Sequence, residues 1–344
     1  MKKIISLVLA LVMLVSLCSC STSHTKEQTE TVTAMNTVMT LTVYSNKNTD
    51  EVFEELKKEI EILDTLLTVN PVRNKGENGV DPSDVVRINT SKEPVEVNGF
   101  TVDVIKKAIE ANELTGGAFD ITINPVIEMW GFNDATYGVP GKAERENALK
   151  LIGSDKIKID GNTVAVEELS SINLGGIAKG ALGDDLKRIL DKHGMSAVLS
   201  LGGNIVLVGK NPAAEKWSVG VKAPNEEKAL ICKFRCGGDR SVVTSGGYER
   251  YFEYKGEKYH HIIDPATGAP AESDLQSVTV IGTDGAMCDA LSTALFVMGS
   301  EKAVEFAKEH NDYEYIFVTA DKILASASIP DLTAEINTYT VETF

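Results

Sequence analysis

Apolar residues between positions 50 and 67 recur every three or four residues, as Phe53, Leu56, Ile60 and Leu63 show, while most positions between them carry Glu or Lys. Residues spaced in this way lie on one face of an α-helix, so the pattern predicts an amphipathic helix over Asp50–Leu67. Similar spacing predicts further helices over Thr101–Leu114, Asp184–His193 and Gly285–Met298, and a short helix after Ser300.

Alternation of apolar and polar residues predicts the strands. It indicates a strand or strand pair over Thr31–Tyr44, and a hairpin over 156–166, where Asp160-Gly161 separates two short alternating runs. Residues 68–89 are rich in proline and glycine and predict an irregular loop. Further strands are predicted over Ala197–Leu201, Ile205–Val208, Trp217–Val221, Leu230–Cys236, Val242–Thr244, Tyr248–Tyr254, Tyr259–Ile263, Val278–Ile281, Tyr315–Thr319 and Ile323–Ser326.

Helices and strands follow one another without a regular βαβ period, which predicts an α+β fold with mixed or antiparallel sheets and helices on them. The 344 residues are 43% hydrophobic, which is typical of a globular chain with a sizeable core. The formal charge of -16 argues against a nucleic-acid-binding surface. No repeat or linker divides the chain, so residues 31–344 are expected to form one unit.

The first 20 residues have the pattern of an export signal. Lys2 and Lys3 precede an apolar run over residues 4–15, which predicts a signal peptide over residues 1–19. The segment Leu17-Cys18-Ser19-Cys20 resembles the lipobox of bacterial lipoproteins, with Cys20 as the lipidated residue. Plain secretory cleavage and an uncleaved anchor remain alternatives. Residues 20–30 are polar and without periodicity, so the lipidated cysteine is expected to continue into a flexible tether.

Two glycine-rich segments are candidate sites. Gly116 and Gly117 precede Ala118, Phe119 and Asp120, an arrangement that fits a helix cap followed by a strand as well as a ligand site. Glycines also precede Lys179 in the sequence GGIAKG at 175–180, where a helix is expected to begin. Backbone N–H groups at such a junction can bind an anion, although a solvent-exposed lysine explains the pattern equally well.

Two further segments carry titratable groups. His261 and Asp264 lie three residues apart at a predicted turn, where the histidine is a candidate general base and the aspartate a turn cap. Strand alternation directs His260 and His261 to opposite faces. Asp289 and Thr293 are four residues apart on an otherwise apolar helix, hence on one face. A hard cation such as Mg²⁺ would satisfy both, and so would a mutual hydrogen bond.

Taken together and in order, these segments resemble the ApbE-type flavin transferases, which use FAD to attach FMN to a Thr or Ser of a target protein with loss of AMP. The match covers almost all of the chain after the tether. It runs through Met35-Asn36-Thr37, TGGAFD at 115–120, Trp130-Gly131-Phe132, LGGIAKG at 174–180, LGG at 201–203, VTSG at 243–246, HIIDPATG at 261–268 and DALST at 289–293.

The resemblance implies a T-fold-like α+β catalytic unit and a role for each matching residue. His261 would be the base that deprotonates the acceptor hydroxyl. The divalent metal, Mg²⁺, would be bound by Asp289 and Thr293 together with backbone carbonyls near Leu182 and Ser292. The FAD site would be lined by Met35, Ala118, Phe119, Asp120, Lys179, Asp185 and Ile263.

The chain departs from the family pattern at two places. Many members have Met-Gly-Thr where this chain has Met35-Asn36-Thr37, a change that bears on how closely the backbone approaches the flavin. Many also have a Ser-Thr-Tyr-Asp segment whose tyrosine contacts the cofactor, where this chain has Thr68-Val69-Asn70-Pro71. The resemblance implies that this aromatic position bears on whether FMN is transferred or FAD is hydrolysed.

Three functions therefore remain open: an FMN transferase, an FAD pyrophosphatase that yields FMN and AMP, and a lipid-anchored flavin-binding protein without turnover. The presence of His261, Asp289 and Thr293 speaks against the last, because flavin storage needs neither a base nor a metal. Expected partners are FAD, an acceptor protein that is a membrane or exported redox subunit, and the membrane, but no nucleic acid. The expected location is the extracytoplasmic face of the bacterial cytoplasmic membrane.

Overall fold

The protein is described by a computed structural model over residues 25–71, 75–76, 78–224, 229–336 and 338–344. Its centre is a nine-stranded sheet in which neighbours are antiparallel except for the last pair, which is parallel. In spatial order the strands are β1 (Lys26–Ala34), β2 (Thr37–Ser45), β6 (Ser196–Ser200), β7 (Asn204–Val208), β10 (Arg240–Gly246), β15 (Ser277–Gly282), β16 (Glu314–Val318), β17 (Lys322–Ala325) and β19 (Thr340–Thr343).

Smaller sheets surround this centre. One joins β18 (Thr333–Ala334), β9 (Leu230–Cys236) and β8 (Trp217–Lys222), and another joins β3 (Val95–Glu96), β5 (Thr163–Val166) and β4 (Ile157–Asp160). Two hairpins complete the strands, one formed by β11 (Tyr251–Tyr254) and β12 (Glu257–His260), the other by β13 (Ile263–Asp264) and β14 (Ala269–Pro270).

The described helices are α1 (Asp50–Leu67), α2 (Asp84–Thr90), α3 (Gly99–Leu114), α4 (Asn124–Trp130), α5 (Lys142–Leu149), α6 (Ala178–His193), α7 (Gly285–Met298) and α8 (Ser300–Glu309), with a 3₁₀ turn over Ser154–Lys156. None of the helices in the described ranges is long and apolar enough to cross a membrane.

The central sheet buries both of its faces. In β7, Val206 and Val208 pack into a core with α1 and α6, whereas Leu207 packs into a second core with β8 and β9. Side chains alternate between the two faces of a strand, so one strand serves both cores. The result is a layer of helices, the nine-stranded sheet, and the three-stranded sheet of β8, β9 and β18 on the other side.

Helices α6 and α7 cross at very short range. A Cβ atom added to Gly180 would overlap the backbone carbonyl of Gly285 and lie 2.8 Å from the Cβ of Asp289. Because glycine has no Cβ, the Gly180 N–H reaches the Asp289 carboxylate at 2.9 Å. The first N–H groups of α7, those of Gly285 and Ala286, donate to the Asp184 carboxylate of α6 at 2.8 and 3.0 Å.

The predicted α+β class is confirmed, with several corrections to its elements. Strand β1 begins at Lys26, inside the segment predicted as a tether, because it pairs in register with β2 from Lys26 onward. Helix α6 begins at Ala178 rather than Asp184, because its contact with α7 outweighs the low helix propensity of its glycines. The predicted loop over 68–89 ends in α2, whose cap Ser83 accepts the Val86 N–H at 3.2 Å.

Two further helices, α4 and α5, were not predicted. Helix α4 has only seven residues, with proline in its first turn, and α5 buries none of its residues, so neither shows an apolar periodicity. The predicted signal peptide and Cys20 lie outside the described residues.

The crossing of α6 and α7 predicts a large cost for Gly180→Ala. Overpacked cores lose about 1–3 kcal/mol of unfolding free energy, and here the added methyl meets backbone on one side. Urea unfolding should show this loss at unchanged m-value. Gly99→Ala is the matched control, since a Cβ at this helix-start position meets no atom within 4 Å. Equal unfolding free energies for the two variants would contradict the close crossing.

Candidate functional site

A cavity of about 800 Å³ opens where the helix layer meets the ends of the central strands. Its walls come from the β1–β2 turn, the segment before α4, the start of α6, the end of β10, the β12–β13 junction and one face of α7. The predicted site residues that line it are Met35, Ala118, Phe119, Asp120, Lys179, His261, Ile263, Asp289 and Thr293. Segments far apart in sequence therefore meet in one cavity.

The β1–β2 turn is a two-residue hairpin with left-handed backbone at both central positions. Met35 has φ 48° and Asn36 has φ 58°. Asparagine tolerates this region better than other residues with a side chain, so Asn36 retains a turn that glycine would favour. The Met35 N–H donates to the Asp64 carboxylate of α1 at 3.0 Å, which ties the turn to the helix layer.

Asp120 is buried and held by three donors. Its carboxylate accepts from the backbone N–H of Thr122 at 2.7 Å, from the Thr122 hydroxyl and from the Asn112 amide at 3.2 Å. Burial nevertheless raises its pKa above the ordinary value for aspartate. The neighbouring Phe119 ring lies so close to Gly176 that a Cβ there would be 2.9 Å from its Cε2 atom. The two glycine-rich segments are thus in direct contact.

Asp289 and Thr293 present oxygen ligands to the cavity from one face of α7. Asp289 is 3% exposed and accepts the Gly180 N–H. The Ser292 hydroxyl donates to the Asp289 carbonyl at 2.8 Å, so the Ser245 hydroxyl, 2.7 Å away, must donate to Ser292. Ser245 also lies 3.4 Å from the Thr293 hydroxyl. Carboxylate and hydroxyl oxygens are ligands suited to a hard divalent cation.

A cation at this position would depend on few protein charges. No group of three or more His, Cys, Asp or Glu side chains within the described ranges could hold a metal ion. Asp289 would be the carboxylate ligand, and Thr293 and backbone oxygens would supply neutral ligands. Such a set fits Mg²⁺, which usually binds through one or two carboxylates together with substrate phosphates and water.

His261 has one ring nitrogen fixed by the backbone. Its Nδ1 lies 3.0 Å from the Arg250 carbonyl oxygen, which also accepts the His261 backbone N–H at 3.1 Å. A carbonyl only accepts, so Nδ1 carries the proton and Nε2 keeps a lone pair. Burial lowers the pKa of His261 to about 4, and the positive charges of Arg250 and Lys179 act in the same direction. The ring is therefore neutral near pH 7.

The neighbouring histidine points elsewhere, as strand alternation predicts. The His260 Nε2 donates to the Ala271 carbonyl at 3.2 Å, and its ring meets Phe296 edge to face. Burial lowers its pKa as well. It is not among the residues that line the cavity.

Three predicted site residues do not line the cavity. The Asp185 side chain pairs with Arg188 on the same helix instead of facing the FAD site expected for it. Leu182 and Ser292 are fully buried, one turn or less from the lining positions of α6 and α7. The resemblance implies backbone carbonyls, not side chains, as ligands near Leu182 and Ser292, so those two expectations stay predictions.

Other lining residues were not singled out from the sequence. Ser245 lies within the VTSG segment at 243–246, which resembles the family pattern, but the resemblance implied no role for this serine. Arg250 carried no local signal, because its position next to His261 follows from the hairpin register that pairs Tyr251 with His260. Thr68, Val69 and Asn70 also line the cavity, so the segment that lacks the family tyrosine does face the site.

Comparisons with known proteins identify relatives of this chain. The FAD:protein FMN transferase of Klebsiella pneumoniae is 32% identical over 303 residues, which cover 86% of this chain and 90% of that protein. The corresponding protein of Treponema pallidum is 31% identical over 335 residues, covering 90% and 89%. The names of these relatives confirm the predicted enzyme class, a transferase.

Solved structures share the fold. The ApbE protein of Thermotoga maritima has a TM-score of 0.78 at 32% identity and covers 86% of this chain and 94% of its own. A His-to-Gly mutant of the flavin transferase ApbE of Vibrio cholerae has a TM-score of 0.76 at 29% identity, covering 88% and 98%. The model of the ApbE family matches residues 35–317, and the chain therefore belongs to the ApbE family.

Proposed function

We propose that this protein is an Mg²⁺-dependent FAD:protein FMN transferase that joins FMN through a phosphoester bond to a Thr or Ser of a membrane or exported redox protein and releases AMP. One observation carries the proposal. A single cavity contains a histidine with a free Nε2 lone pair and, on α7, the carboxylate and hydroxyl of Asp289 and Thr293. The family relatives that bear this enzyme name supply the substrate class.

In this proposal His261 accepts the proton of the acceptor hydroxyl at Nε2. The hydroxyl oxygen attacks the phosphorus on the FMN side of FAD and forms the new phosphoester bond. The bond from that phosphorus to the bridging oxygen breaks, and the bridging oxygen leaves with AMP. The Arg250 carbonyl holds the ring in the required tautomer throughout, since it can accept only from a protonated Nδ1.

Asp289 and Thr293 would hold Mg²⁺, which when bound neutralises charge on the pyrophosphate. Backbone carbonyls near Leu182 and Ser292 were the further ligands expected from the resemblance. The described α6 residues that line the cavity are Ala178 and Lys179, so a backbone ligand from α6 would come from its first turn. Lys179 adds a positive charge beside this position.

An FAD pyrophosphatase is the second candidate, and one observation favours it. The segment Thr68-Val69-Asn70 brings no aromatic side chain to the cavity at the place where family members carry a tyrosine. In hydrolysis water replaces the acceptor hydroxyl as nucleophile, and FMN and AMP are released. The two activities share the cation site and differ in the nucleophile.

We further propose that the chain is anchored by lipid at Cys20 on the extracytoplasmic face of the cytoplasmic membrane. The support is the sequence of the first 20 residues, with its charged start, apolar run and lipobox-like end. The mass of the N-terminal peptide tests the proposal, because an unmodified peptide that begins elsewhere would remove the anchor.

Asp289→Asn should abolish the cation dependence while preserving the fold. The amide oxygen can still accept the Gly180 N–H, but the charge is lost. Loss of several kcal/mol of transition-state stabilisation corresponds to a fall in AMP release of roughly 10²-fold or more. Mg²⁺ titration calorimetry on the protein without FAD gives an independent measure. Asp191→Asn, which removes an exposed charge paired with Lys187, is the control. Unchanged Mg²⁺ affinity of the Asp289 variant would contradict the assignment.

His261→Ala separates the two enzymatic functions. The protein is incubated with FAD, Mg²⁺ and an exported flavin-dependent redox subunit, and covalent fluorescence of the subunit is followed together with AMP release. A positioned general base contributes roughly 10²- to 10⁴-fold, so FMN transfer should fall by that factor. Slow hydrolysis without acceptor should persist better, because a cation held by Asp289 and Thr293 would supply a means of activating water that does not need His261. His193→Gln, on the far end of α6, is the control; an equal fall in both activities would remove the base role.

The low pKa of His261 predicts the pH dependence of transfer. The reaction needs the neutral ring, so activity is lost as the pH falls through the folded-state pKa of about 4. The apparent kcat/KM for transfer should therefore be flat from about pH 5 to 7 and fall about tenfold per unit below pH 4. Circular dichroism at each pH verifies that the protein remains folded. A half-maximal rate near pH 6.5, the ordinary histidine value, would contradict a lowered pKa of His261.

A further inference from the structure

Arg250 brings a positive charge to the cavity. Its side chain is exposed at the cavity, and its described contact is with the ring of Phe132, whose centroid lies 5.9 Å from the guanidinium carbon. The adjacent carboxylate of Glu249 is paired with Lys222 at 3.4 Å. No carboxylate in the described ranges forms an ion pair with Arg250, so its planar donors are free for a ligand.

The β11–β12 hairpin places this charge beside the candidate base. Arg250 and His261 flank the paired ends Tyr251 and His260, and the Arg250 carbonyl holds the His261 ring. Phe132 touches both side chains, since its ring centroid is 6.5 Å from that of His261. A group on which His261 acts would therefore lie close to the guanidinium.

A free guanidinium in this position selects an oxyanion. Its donors match phosphate or carboxylate oxygens in pairs, and such charge-assisted hydrogen bonds are stronger than neutral ones. A general base must come within about 3 Å of the hydroxyl that it deprotonates. The phosphorus under attack is next to that hydroxyl, so the nearest oxyanion to Arg250 would be a phosphate of the substrate.

We propose that Arg250 binds a pyrophosphate oxygen of FAD from the side of the cavity that carries His261. The inference rests on the proposed function for its substrate. Among the described residues that line the cavity, the only lysine is Lys179 and the only arginine is Arg250. The guanidinium would stabilise the charge that builds on the leaving phosphate of AMP as the bridging bond breaks.

The test compares Arg250→Gln and Arg250→Lys with Lys258→Gln, using the full chain at fixed Mg²⁺. Lys258 is the matched control, because it lies over the Tyr251 ring at 4.6 Å on the same hairpin but does not line the cavity. Dissociation constants for FAD, FMN and riboflavin are measured by flavin fluorescence without acceptor. Rates of AMP release are measured with and without acceptor.

Arg250→Gln should weaken FAD binding by roughly 10- to 100-fold and leave riboflavin binding unchanged, because riboflavin has no phosphate. The FAD affinity of Arg250→Lys should lie between those of the wild type and Arg250→Gln, since lysine keeps the charge and loses the paired donors. Equal weakening of FAD and riboflavin would overturn the proposal. So would unchanged FAD affinity with a raised KM for the acceptor, which would assign the guanidinium to a carboxylate of that protein. A wild type that releases AMP without transfer would refute the proposed function and leave this binding test intact.

Discussion

The geometry of the cavity depends on the close crossing of α6 and α7. At Gly180 and Gly285 the helix backbones approach so closely that no side chain fits between them. This contact lets a backbone N–H of α6 fix the Asp289 carboxylate, and Asp184 of α6 holds the first N–H groups of α7 in return. Burial raises the pKa of Asp184 to about 6, so the bonds at the start of α7 do not fully offset the cost of its desolvation. The crossing therefore fixes the position of the Asp289 carboxylate relative to the start of α6.

The orientation of the His261 ring is fixed by the backbone rather than by a charged partner. A carboxylate partner at Nδ1 would raise the basicity of the ring, whereas the neutral Arg250 carbonyl fixes its orientation and tautomer alone. Burial and nearby positive charges then keep the ring unprotonated. As the proposed base, His261 would rely on its position and on an available lone pair rather than on proton affinity. The positive charges of Arg250 and Lys179, which help to lower its pKa, would also attract a phosphate in the proposed reaction.

The sequence predicts the long elements well, because strong periodicity is a local signal. The glycine-rich segments alone fit a helix cap or a loop-to-helix junction as well as a site, and their roles follow only from the family resemblance. Prediction from sequence fails where contacts between residues distant in the chain determine the structure. The glycines that make the start of α6 appear a poor helix are those that permit its crossing with α7, so its first six residues were not predicted as helix. Short helices such as α2, α4 and α5 have too few turns to show a period. The position of Arg250 next to His261 follows from the register of the β11–β12 hairpin. The surroundings of Ser245 follow from the contact of β10 with α7.

The two departures from the family pattern have unequal consequences. Asn36 preserves the left-handed turn, so the backbone at Met35 is retained despite the missing glycine. The segment Thr68-Val69-Asn70 does not replace the missing tyrosine, since none of its side chains can stack on an aromatic ring as tyrosine does. Phe119, held against Gly176, remains as an aromatic wall. We infer that the residues proposed to bind the FAD pyrophosphate are present, whereas the surface that would stack on the flavin ring is reduced. Selectivity for FAD would then rest more on charge at the pyrophosphate than on stacking, and access of water or an acceptor hydroxyl to that pyrophosphate would decide which reaction follows.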